Sequence, residues 1–415
     1  MPSAITQCRI CGNHQLETIL QLGDQKLTGV FPANADAAIM GGPLDLVRCV
    51  PSEKDCGLLQ LRHSYPLSEM YGSNYGYRSG LNRSMAQHLE KKTAWLAELS
   101  SAKAGDLVVD IGCNDGTLLK SYPVHFERAG IDPVAKKFLH YYPSNIRVIT
   151  EFFSRELWQK ELGDRKAKII TSIAMFYDIE QPMEFMRAIR ENLAPDGIWH
   201  FEQSYMPLML ERCAFDTICH EHIEYYSLRQ ILWITERSGL KIINVATSDV
   251  NGGSIAVTVA RTDSPSQEAG DDLQRLCEKE QQAGFEGMEP FHQFRKDVFA
   301  HRDRLLEEIK RIQSAGLSLM GYGASTKGNV LLQFCGLTPS EIPFIAEVNE
   351  EKFGCFTPGT NIPIISEDAM HAMKPDVLLV LPWHFRNNLI EREQNFIQNG
   401  GRLLFPLPEV EYYPQ

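Results

Sequence analysis

The run Cys219-His220-Glu221-His222 places two histidines and a carboxylate at consecutive positions, with tyrosines nearby on both sides. Imidazole is the only side chain whose unperturbed pKa lies near neutrality, and an adjacent carboxylate can orient it and raise its basicity. If this segment lines a cleft, the sequence predicts an enzyme that moves a proton.

Three interpretations of His220 stay open: a second acid-base group, a metal ligand, or a packed histidine that donates to a backbone carbonyl. The run is not the H-E-x-x-H of zinc proteases, because residues two apart do not share a helix face. A His-x-His metal pair on a strand is an alternative, although no third ligand stands at a useful spacing.

A second chemical motif is the acidic glycine loop in VVDIGCNDGTLL. Asp110 closes a predicted strand, the glycines allow a tight turn, and Asp132 follows at the distance where a carboxylate reads ribose hydroxyls. The order D-x-G-x-x-x-G is typical of S-adenosylmethionine-dependent methyltransferases, whose cofactor carries no phosphate and tolerates acidic neighbours. The alternative is a turn needed only for packing. We assign to the cofactor Asp110, Gly112, Asn114, Asp115, Gly116, Asp132, Pro133 and Ala174.

Four cysteines near the amino terminus predict a structural zinc site: Cys8, Cys11, Cys49 and Cys56. A C-x2-C pair closed by glycine is typical of a zinc knuckle, and a second pair completes four thiolates. Four unligated core cysteines are the alternative. Catalytic zinc is disfavoured because four cysteines leave no open coordination position.

The loop GYGASTKGN follows a predicted strand and begins a predicted helix, which together form an anion site with Lys327 adding charge. A substrate diphosphate would fit there, and a packing turn is the alternative. Asn251 lies in a break between apolar strands, either a hairpin turn or a loop that touches substrate. The predicted substrate contacts are His220, Asn251, Gly323, Ser325, Lys327 and Asn329.

Elements that would position these residues alternate between strands and helices, which predicts an α/β fold. At 415 residues the chain is long enough for two or three domains. We predict boundaries at 1–75, 76–262 and 263–415, the last with linking helices and a second strand-glycine-helix unit. The polar stretch from about 264 to 313 is predicted as an exposed connecting helix or hairpin.

Overall charge excludes several function classes. The formal net charge is -12, which opposes nonspecific attraction to nucleic acid or an anionic membrane. No run of apolar residues reaches membrane-spanning length, and the amino terminus lacks the basic and apolar stretches of a secretory signal. We expect a cytoplasmic protein with no obligate protein partner.

With these motifs in this order, the whole chain resembles the three-domain sugar C-methyltransferases. The resemblance implies an amino-terminal zinc domain, a central class I S-adenosylmethionine-dependent methyltransferase domain and a Rossmann-like carboxy-terminal domain. It also implies methylation of C-3' or C-5' of a nucleotide-linked 4-keto-6-deoxysugar, with C-3' expected here. In such enzymes a base removes the proton beside the ketone, and the enolate carbon attacks the methyl group.

The resemblance also implies residue roles. His222 matches the base, Glu221 matches the acid before it, and Tyr75 and Tyr77 match tyrosines that contact the reacting sugar. Two positions depart from the family pattern. Cys219 stands where related enzymes have a tyrosine, and Asp178, which we include among the catalytic residues, stands where they have a histidine. A thiol cannot replace a phenol as a donor, and an ionised Asp178 would only accept, so an enolate oxygen must be stabilised from elsewhere.

Two alternatives to C-methylation follow. An epimerase or isomerase would keep the proton abstraction without the transfer. A zinc-stabilised binding protein without catalysis would need none of the three adjacent acid-base residues.

Overall fold

Residues 2–52, 54–71 and 77–415 are described by a computed structural model. In this part of the chain the strands form one pair and three larger sheets of four, seven and six strands. The helices found in the described residues do not combine the length and apolar character needed to cross a bilayer.

The amino-terminal part combines two long strands of eleven and nine residues with three strands of two or three residues. Its elements are β1 Ser3–Ala4, β2 Leu16–Lys26, β3 Gly41–Cys49, β4 Leu59–Leu61, β5 His63–Ser64 and α1 Leu67–Met70. β2, β3 and β4 pair antiparallel in that order, and β1 pairs with β5. The four cysteines lie at the ends of these strands and the turns between them.

The central part alternates strands and helices as predicted. Its elements are α2 Arg83–Leu99, β6 Leu107–Ile111, α3 Thr117–Ser121, β7 Glu127–Ile131, β8 Ile146–Ile149, α4 Arg155–Leu162, β9 Ala167–Ile173, α5 Pro182–Asn192, β10 Leu193–Ser204, α6 Met206–Glu211, β11 Glu224–Tyr225, α7 Leu228–Arg237, β12 Leu240–Ser248 and β13 Ser254–Arg261. The sheet order is β12-β13-β10-β9-β6-β7-β8, and only β13 runs antiparallel to its neighbours. All of β6 is buried, which explains its nearly continuous apolar run.

Strand β11 leaves this central sheet and joins the amino-terminal one. Glu224 and Tyr225 pair antiparallel with β4, and the backbone N–H of Leu61 donates to the carbonyl of Ile223 at 2.8 Å. The Cys219–His222 run immediately precedes β11. The amino-terminal sheet therefore holds the chain directly after the predicted acid-base residues.

The carboxy-terminal part is a second doubly wound unit. Its elements are α8 Asp271–Gln282, α9 Glu289–Ser314, β14 Leu319–Tyr322, α10 Thr326–Cys335, β15 Ile345–Glu347, β16 Ile364–Ser366, α11 Glu367–Met373, β17 Val377–Val380, α12 Arg386–Arg392, α13 Gln394–Gln398, β18 Arg402–Phe405 and β19 Glu411–Tyr413. The sheet order is β16-β15-β14-β17-β18-β19, with only the edge strand β19 antiparallel.

Segments of 3₁₀ helix complete the described chain; six are single turns, and Pro133–Tyr141 has nine residues. They span Ser79–Leu81, Pro133–Tyr141, Phe176–Asp178, Phe215–Thr217, Val250–Gly252, Glu350–Lys352 and Trp383–Phe385.

Helix α9 corrects the prediction of an exposed connector. Phe291, Phe294, Val298, Leu305 and Ile309 are all buried within it and pack into the largest core of the molecule. Their spacing of three, four and seven residues forms one apolar stripe along the helix. The polar composition of this stretch describes only the solvent-facing side of a helix that completes a hydrophobic core.

Candidate active site

A cavity of about 600 Å³ opens between the three parts of the chain. The carboxyl ends of β6, β7, β9 and β10 line one wall, and the loops after β14 and β17 line the facing wall. Gly29 and Tyr71 of the amino-terminal part close a third side. The volume suits a small-molecule site, and the carboxyl ends of parallel strands are where α/β sheets bind ligands.

The glycine loop after β6 forms part of this cavity. Gly112 has a φ of +80°, and a Cβ there would lie 2.9 Å from Cγ of Met175, so both conformation and space require glycine. Asp110 is buried beside it and accepts a hydrogen bond from the hydroxyl of Thr171 at 2.6 Å. Burial raises the pKa of Asp110 to about 7.

Asp132 lies at the carboxyl end of β7, as the spacing predicted. Its Oδ2 accepts from the backbone N–H of Asn114 at 2.8 Å, and its Oδ1 accepts from that of Val134 at 2.7 Å. Pro133 begins the following turn and lines the cavity with it. Each carboxylate oxygen keeps a further lone pair, which ribose hydroxyls could use.

The next two loop residues, Asn114 and Asp115, both bond to the segment that precedes α2. The Asn114 side chain accepts from the Ser79 backbone N–H at 3.0 Å and donates to the Tyr77 carbonyl at 3.1 Å. The Asp115 side chain accepts from the Gly80 backbone N–H at 3.1 Å. Asn114 still lines the cavity, whereas Asp115 does not. The structure therefore corrects Asp115 from a ligand contact to a residue that fastens the segment before α2 onto the loop.

Gly116 is likewise absent from the described cavity lining. Its φ is +74°, and a Cβ would lie 2.4 Å from the Tyr142 ring, so the glycine is required for close packing. Ala174, by contrast, lines the cavity at the end of β9 with a φ of +53°. Its backbone N–H donates to the carbonyl of Glu202 at 2.7 Å, which fixes this unusual conformation.

These residues fit S-adenosylmethionine. Phe152, which is 47% exposed, and Phe153 present apolar rings to the cavity near Asp132. Aromatic surface suits an adenine ring, the carboxylate suits ribose hydroxyls, and an acidic wall suits a positively charged ligand.

His222 also lines the cavity. Its Nδ1–H donates to the carbonyl of Thr217 at 3.0 Å, which leaves Nε2 with a free lone pair in the neutral tautomer. The Tyr177 ring packs against it with centroids 4.3 Å apart. Burial, and then the charge of Lys327, lower the pKa of His222 to about 4, so the ring is neutral at pH 7.

Glu221 also lines the cavity, and its Oε2 is buried without a hydrogen-bond partner among the described residues. Its Oε1 lies only 2.3 Å from the position a Cβ would occupy on Gly29. Burial raises the pKa of Glu221. The loop around Gly29 thus forms the far wall for this carboxyl group.

The two preceding residues of the run turn away. His220 is fully buried outside the described cavity lining and packs edge-on against Tyr65 with ring centroids 4.6 Å apart. Burial lowers its pKa to about 4. Cys219 is also fully buried in the core and does not line the cavity. The geometry favours packing for His220 over the predicted substrate contact, and it removes Cys219 from the site.

Asp178 lines the cavity and accepts from the Tyr71 hydroxyl at 2.8 Å. Burial raises its pKa well above the ordinary value, with Glu221 and Glu224 adding to the shift against the Tyr71 hydrogen bond. Its Oδ1 has no hydrogen-bond partner among the described residues. The acceptor-only interpretation of Asp178 therefore changes, because a protonated carboxyl group can donate.

The structure describes only one of the two tyrosines that the resemblance assigns to sugar contact. Tyr77 lines the cavity and is 49% exposed. Tyr75 lies outside the described residues, so its predicted role stays a prediction.

The carboxy-terminal glycine loop contributes only part of its predicted set. Lys327 and Ser325 line the cavity, and Lys327 Nζ donates to the carbonyl of Asn251, another lining residue, at 2.7 Å. Gly323 instead packs against Pro382, 2.6 Å from a Cβ position, and does not line the cavity. Asn329 is buried where it donates to the carbonyl of Thr28 at 2.7 Å. Gly323 therefore serves packing within the carboxy-terminal part, and Asn329 joins that part to the amino-terminal part.

The polar lining residues that the sequence analysis missed include Glu202, Gln203 and His384. Glu202 accepts from His88 and pairs with Lys92 at 2.8 Å. Burial alone would raise the pKa of Glu202, but these two partners have the larger effect and lower it to about 2. Gln203 is 2% exposed, and neither amide atom has a hydrogen-bond partner among the described residues. Polar residues ending a predicted strand were the available signal for Glu202 and Gln203.

The four amino-terminal cysteines form the predicted cluster. Their Sγ atoms all lie within 4.8 Å of one another, with Cys8 and Cys56 at 3.5 Å and Cys11 and Cys49 at 3.6 Å. These separations exceed a disulfide bond and match the edges of a tetrahedron of sulfurs around zinc. Four thiolates fit a closed, structural Zn²⁺ site.

Family models match the chain in three consecutive segments. A zinc-binding domain matches residues 8–71, a methyltransferase domain matches residues 81–245, and a C-methyltransferase C-terminal domain matches residues 249–408. A curated relative, C-methyltransferase NovU of Streptomyces niveus, is 31% identical over 412 residues, which cover 98% of this chain and 96% of NovU.

Solved structures resemble the central part more distantly. The plantazolicin methyltransferase BpumL in complex with SAH is 12% identical over 42% of this chain and 82% of its own, with a TM-score of 0.34. The CcbJ methyltransferase of Streptomyces caelestis is 11% identical over 42% of this chain and 89% of its own, with a TM-score of 0.33. These likenesses are too weak to carry a functional argument. The near full-length relative and the three family models are sufficient: the chain belongs to the three-domain, zinc-containing C-methyltransferases that use S-adenosylmethionine.

Proposed function

We propose that this enzyme methylates the carbon beside the ketone of a nucleotide-linked 4-keto-6-deoxysugar, at C-3'. The carrying observation is the hydrogen bond from His222 Nδ1–H to the Thr217 carbonyl, which leaves Nε2 as a base inside the cavity. A C–H bond next to a ketone is acidic enough for an imidazole to deprotonate when the base is held in place.

His222 would remove this proton. The ring is neutral at pH 7 because its pKa is lowered to about 4 by burial and Lys327. Once protonated, it keeps its Nδ1–H bond to Thr217, so the ring does not need to reorient during the reaction. The Tyr177 ring against its face limits rotation further.

Glu221 and Asp178 would orient the sugar. Each is a cavity carboxyl group with one buried oxygen that lacks a partner among the described residues. Burial raises the pKa of both groups, which favours protonated carboxyls that can both donate to and accept from hydroxyl groups. Tyr77, and Tyr75 by resemblance, would add contacts to the same sugar.

S-adenosylmethionine, when bound beside Gly112 and Asp132, supplies a methyl group carried on a positively charged sulfur. The residues of this wall would hold its adenosine, and Phe152 and Phe153, which also line the cavity, would exclude water. The cavity of about 600 Å³ lies between this wall and His222, so one enclosure serves both ligands.

The test is methylation of a panel of nucleoside diphosphate 4-keto-6-deoxysugars, with products measured by mass spectrometry. His222→Gln should lower kcat by roughly 10²–10⁴-fold, the usual contribution of a general base, with S-adenosylmethionine affinity retained. His292→Gln, at a histidine outside the cavity that pairs with Glu17, is the matched control. If no sugar gains a methyl group, or the His222 variant is fully active, the proposal fails. Solvent deuterium entering the sugar without methylation would identify an epimerase or isomerase instead.

A further inference from the structure

The described lining of the cavity is rich in carboxyl groups and poor in cationic side chains. Among its described lining residues, Lys327 is the sole lysine or arginine, whereas six residues carry carboxyl groups. These six are Asp110, Asp132, Asp178, Glu180, Glu202 and Glu221. The group that Lys327 contacts therefore decides which anionic ligand or intermediate this cavity can stabilise.

Lys327 lies on the same side of the cavity as the base. The first turn of α10 and the His222 segment meet at Gly29, where a Cβ would lie 2.3 Å from Glu221 Oε1 and 3.7 Å from Thr326 Oγ1. The ammonium is fixed by its 2.7 Å hydrogen bond to the Asn251 carbonyl. Its charge also contributes, after burial, to the lowered pKa of His222.

We propose that Lys327 is a catalytic residue whose ammonium stabilises the enolate oxygen during C-methylation. This role rests on the proposed function. The proton leaves carbon for His222 Nε2, and the C–H electron pair becomes the enolate, whose oxygen faces Lys327. That pair then forms the new C–C bond as the methyl–sulfur bond breaks and sulfur keeps its electrons. The histidine afterwards releases its proton to solvent.

The alternative for Lys327 is the predicted contact with the substrate diphosphate. One monocation is a poor match for a group with at least two negative charges, and no second lysine or arginine stands beside it in the described lining. A cation near a base also weakens that base. The arrangement benefits the reaction when the same cation stabilises the charge that the base creates.

Neighbouring acidic groups partly offset the effect of burial on the pKa of Lys327. Burial lowers its pKa, while Asp216 opposes this shift and Cys219 adds to the opposition. Asp216 is itself held by the Trp383 indole N–H, which donates to Oδ2 at 2.7 Å. Lys327 in turn lowers the pKa values of His222 and His384 after burial. Asp110, Asp178 and Glu221, whose pKa values burial raises, are further titrating groups of the cavity lining that a pH profile of this site would report.

The experiment compares the full-length wild-type enzyme with Lys327→Met and Lys327→Arg. Proton exchange at the carbon beside the ketone is measured by solvent deuterium wash-in with S-adenosylhomocysteine present, together with kcat, KM and the affinity for the keto sugar. Lys352→Met is the matched control, since Lys352 is a partly buried lysine of the carboxy-terminal part that donates to the Ala324 carbonyl at 2.7 Å but does not line the cavity. Retained binding of S-adenosylhomocysteine shows that each variant is folded.

Lys327→Met should slow both exchange and kcat by roughly 10²–10³-fold, the usual effect of losing one oxyanion donor, with sugar affinity changed less than about threefold. Lys327→Arg should retain part of the rate that Lys327→Met loses, because it keeps a positive charge. Because removal of the cation raises the pKa of His222, the acid limb of kcat/KM should move to higher pH in the methionine variant.

A rise in KM with unchanged kcat and exchange would overturn the inference and assign Lys327 to the diphosphate. Unchanged kinetics would overturn it as well. If the wild-type enzyme itself neither exchanges nor methylates any keto sugar, the proposed function falls and this role falls with it. If the wild-type enzyme methylates a keto sugar and only the Lys327 variants depart from the expected result, the role of Lys327 is refuted and the proposed function stands.

Discussion

Replacing Gly29 by alanine should disable catalysis while leaving the fold intact. Gly29 lies in the amino-terminal part, far in sequence from Glu221, yet an added Cβ would lie 2.3 Å from Glu221 Oε1. Ordinary contact begins near 3.4 Å, so the carboxylate must move by about 1 Å. A misplacement of about 1 Å in a reacting assembly can cost roughly 100-fold in rate.

The stability change should be small by comparison. Gly29 does not have a positive φ, so alanine is compatible with its backbone. Loss of unfolded-state entropy contributes about 0.4–1 kcal/mol in favour of the variant, against about 1–3 kcal/mol for the added bulk. We therefore expect unfolding within a few °C of wild type.

Steady-state kinetics, thermal unfolding and S-adenosylmethionine binding together test this prediction. The matched control is Gly287→Ala, at an exposed glycine in the turn between α8 and α9, where a Cβ meets only the Gly284 carbonyl at an ordinary 3.5 Å. A Gly29→Ala enzyme with wild-type kcat would refute the reasoning that the amino-terminal part forms a wall of the active site around Glu221.

Three further predictions concern the cofactor loop, the cavity amide and zinc. Gly116→Ala should destabilise the fold by at least about 1 kcal/mol and weaken S-adenosylmethionine binding, because a positive φ and the Tyr142 ring both oppose a Cβ; equal melting temperatures would contradict it. Gln203→Leu should stabilise the ligand-free enzyme by about 1–3 kcal/mol in chemical denaturation, since it removes a buried amide that has no hydrogen-bond partner among the described residues. The same variant should bind the sugar more weakly in calorimetry. A loss of stability would contradict this prediction. Cys8→Ser should lower zinc content and kcat together, as measured by elemental analysis and kinetics, because β4, which pairs with β11, lies beside the cysteine cluster; full activity without zinc would contradict it.

Much of the fold followed from local patterns. The strand at 107–111 and the glycine turn after it were predicted from an apolar run ending in Asp110, and both are confirmed. The cysteine cluster was equally accessible, because ligand type and spacing are local properties. Helix α9 was misjudged as exposed, since a polar average hides a stripe of apolar residues on one face. The domain boundaries at 75 and 262 stay predictions.

For the site, the sequence predicted the position of some residues and missed the surroundings of others. Asp132 occupies its expected place at the end of β7, because strand spacing sets it. Asp115 does not, since a short side chain in a turn can bond to whichever backbone passes nearby, here that of Gly80. Gln203 was missed because an amide gives no chemical signal in sequence until its surroundings are known.

The sequence by itself determined the chemistry available: four thiolates for zinc, an acidic loop for S-adenosylmethionine, and an imidazole with a carboxylate for proton transfer. Tertiary structure decided which of these groups act together. It directed Glu221 and His222 into the cavity and Cys219 and His220 into the core, and it brought Lys327 to the same wall. The reason is that side-chain direction and the approach of residues a hundred positions apart depend on how separate elements pack, and no local pattern encodes that packing.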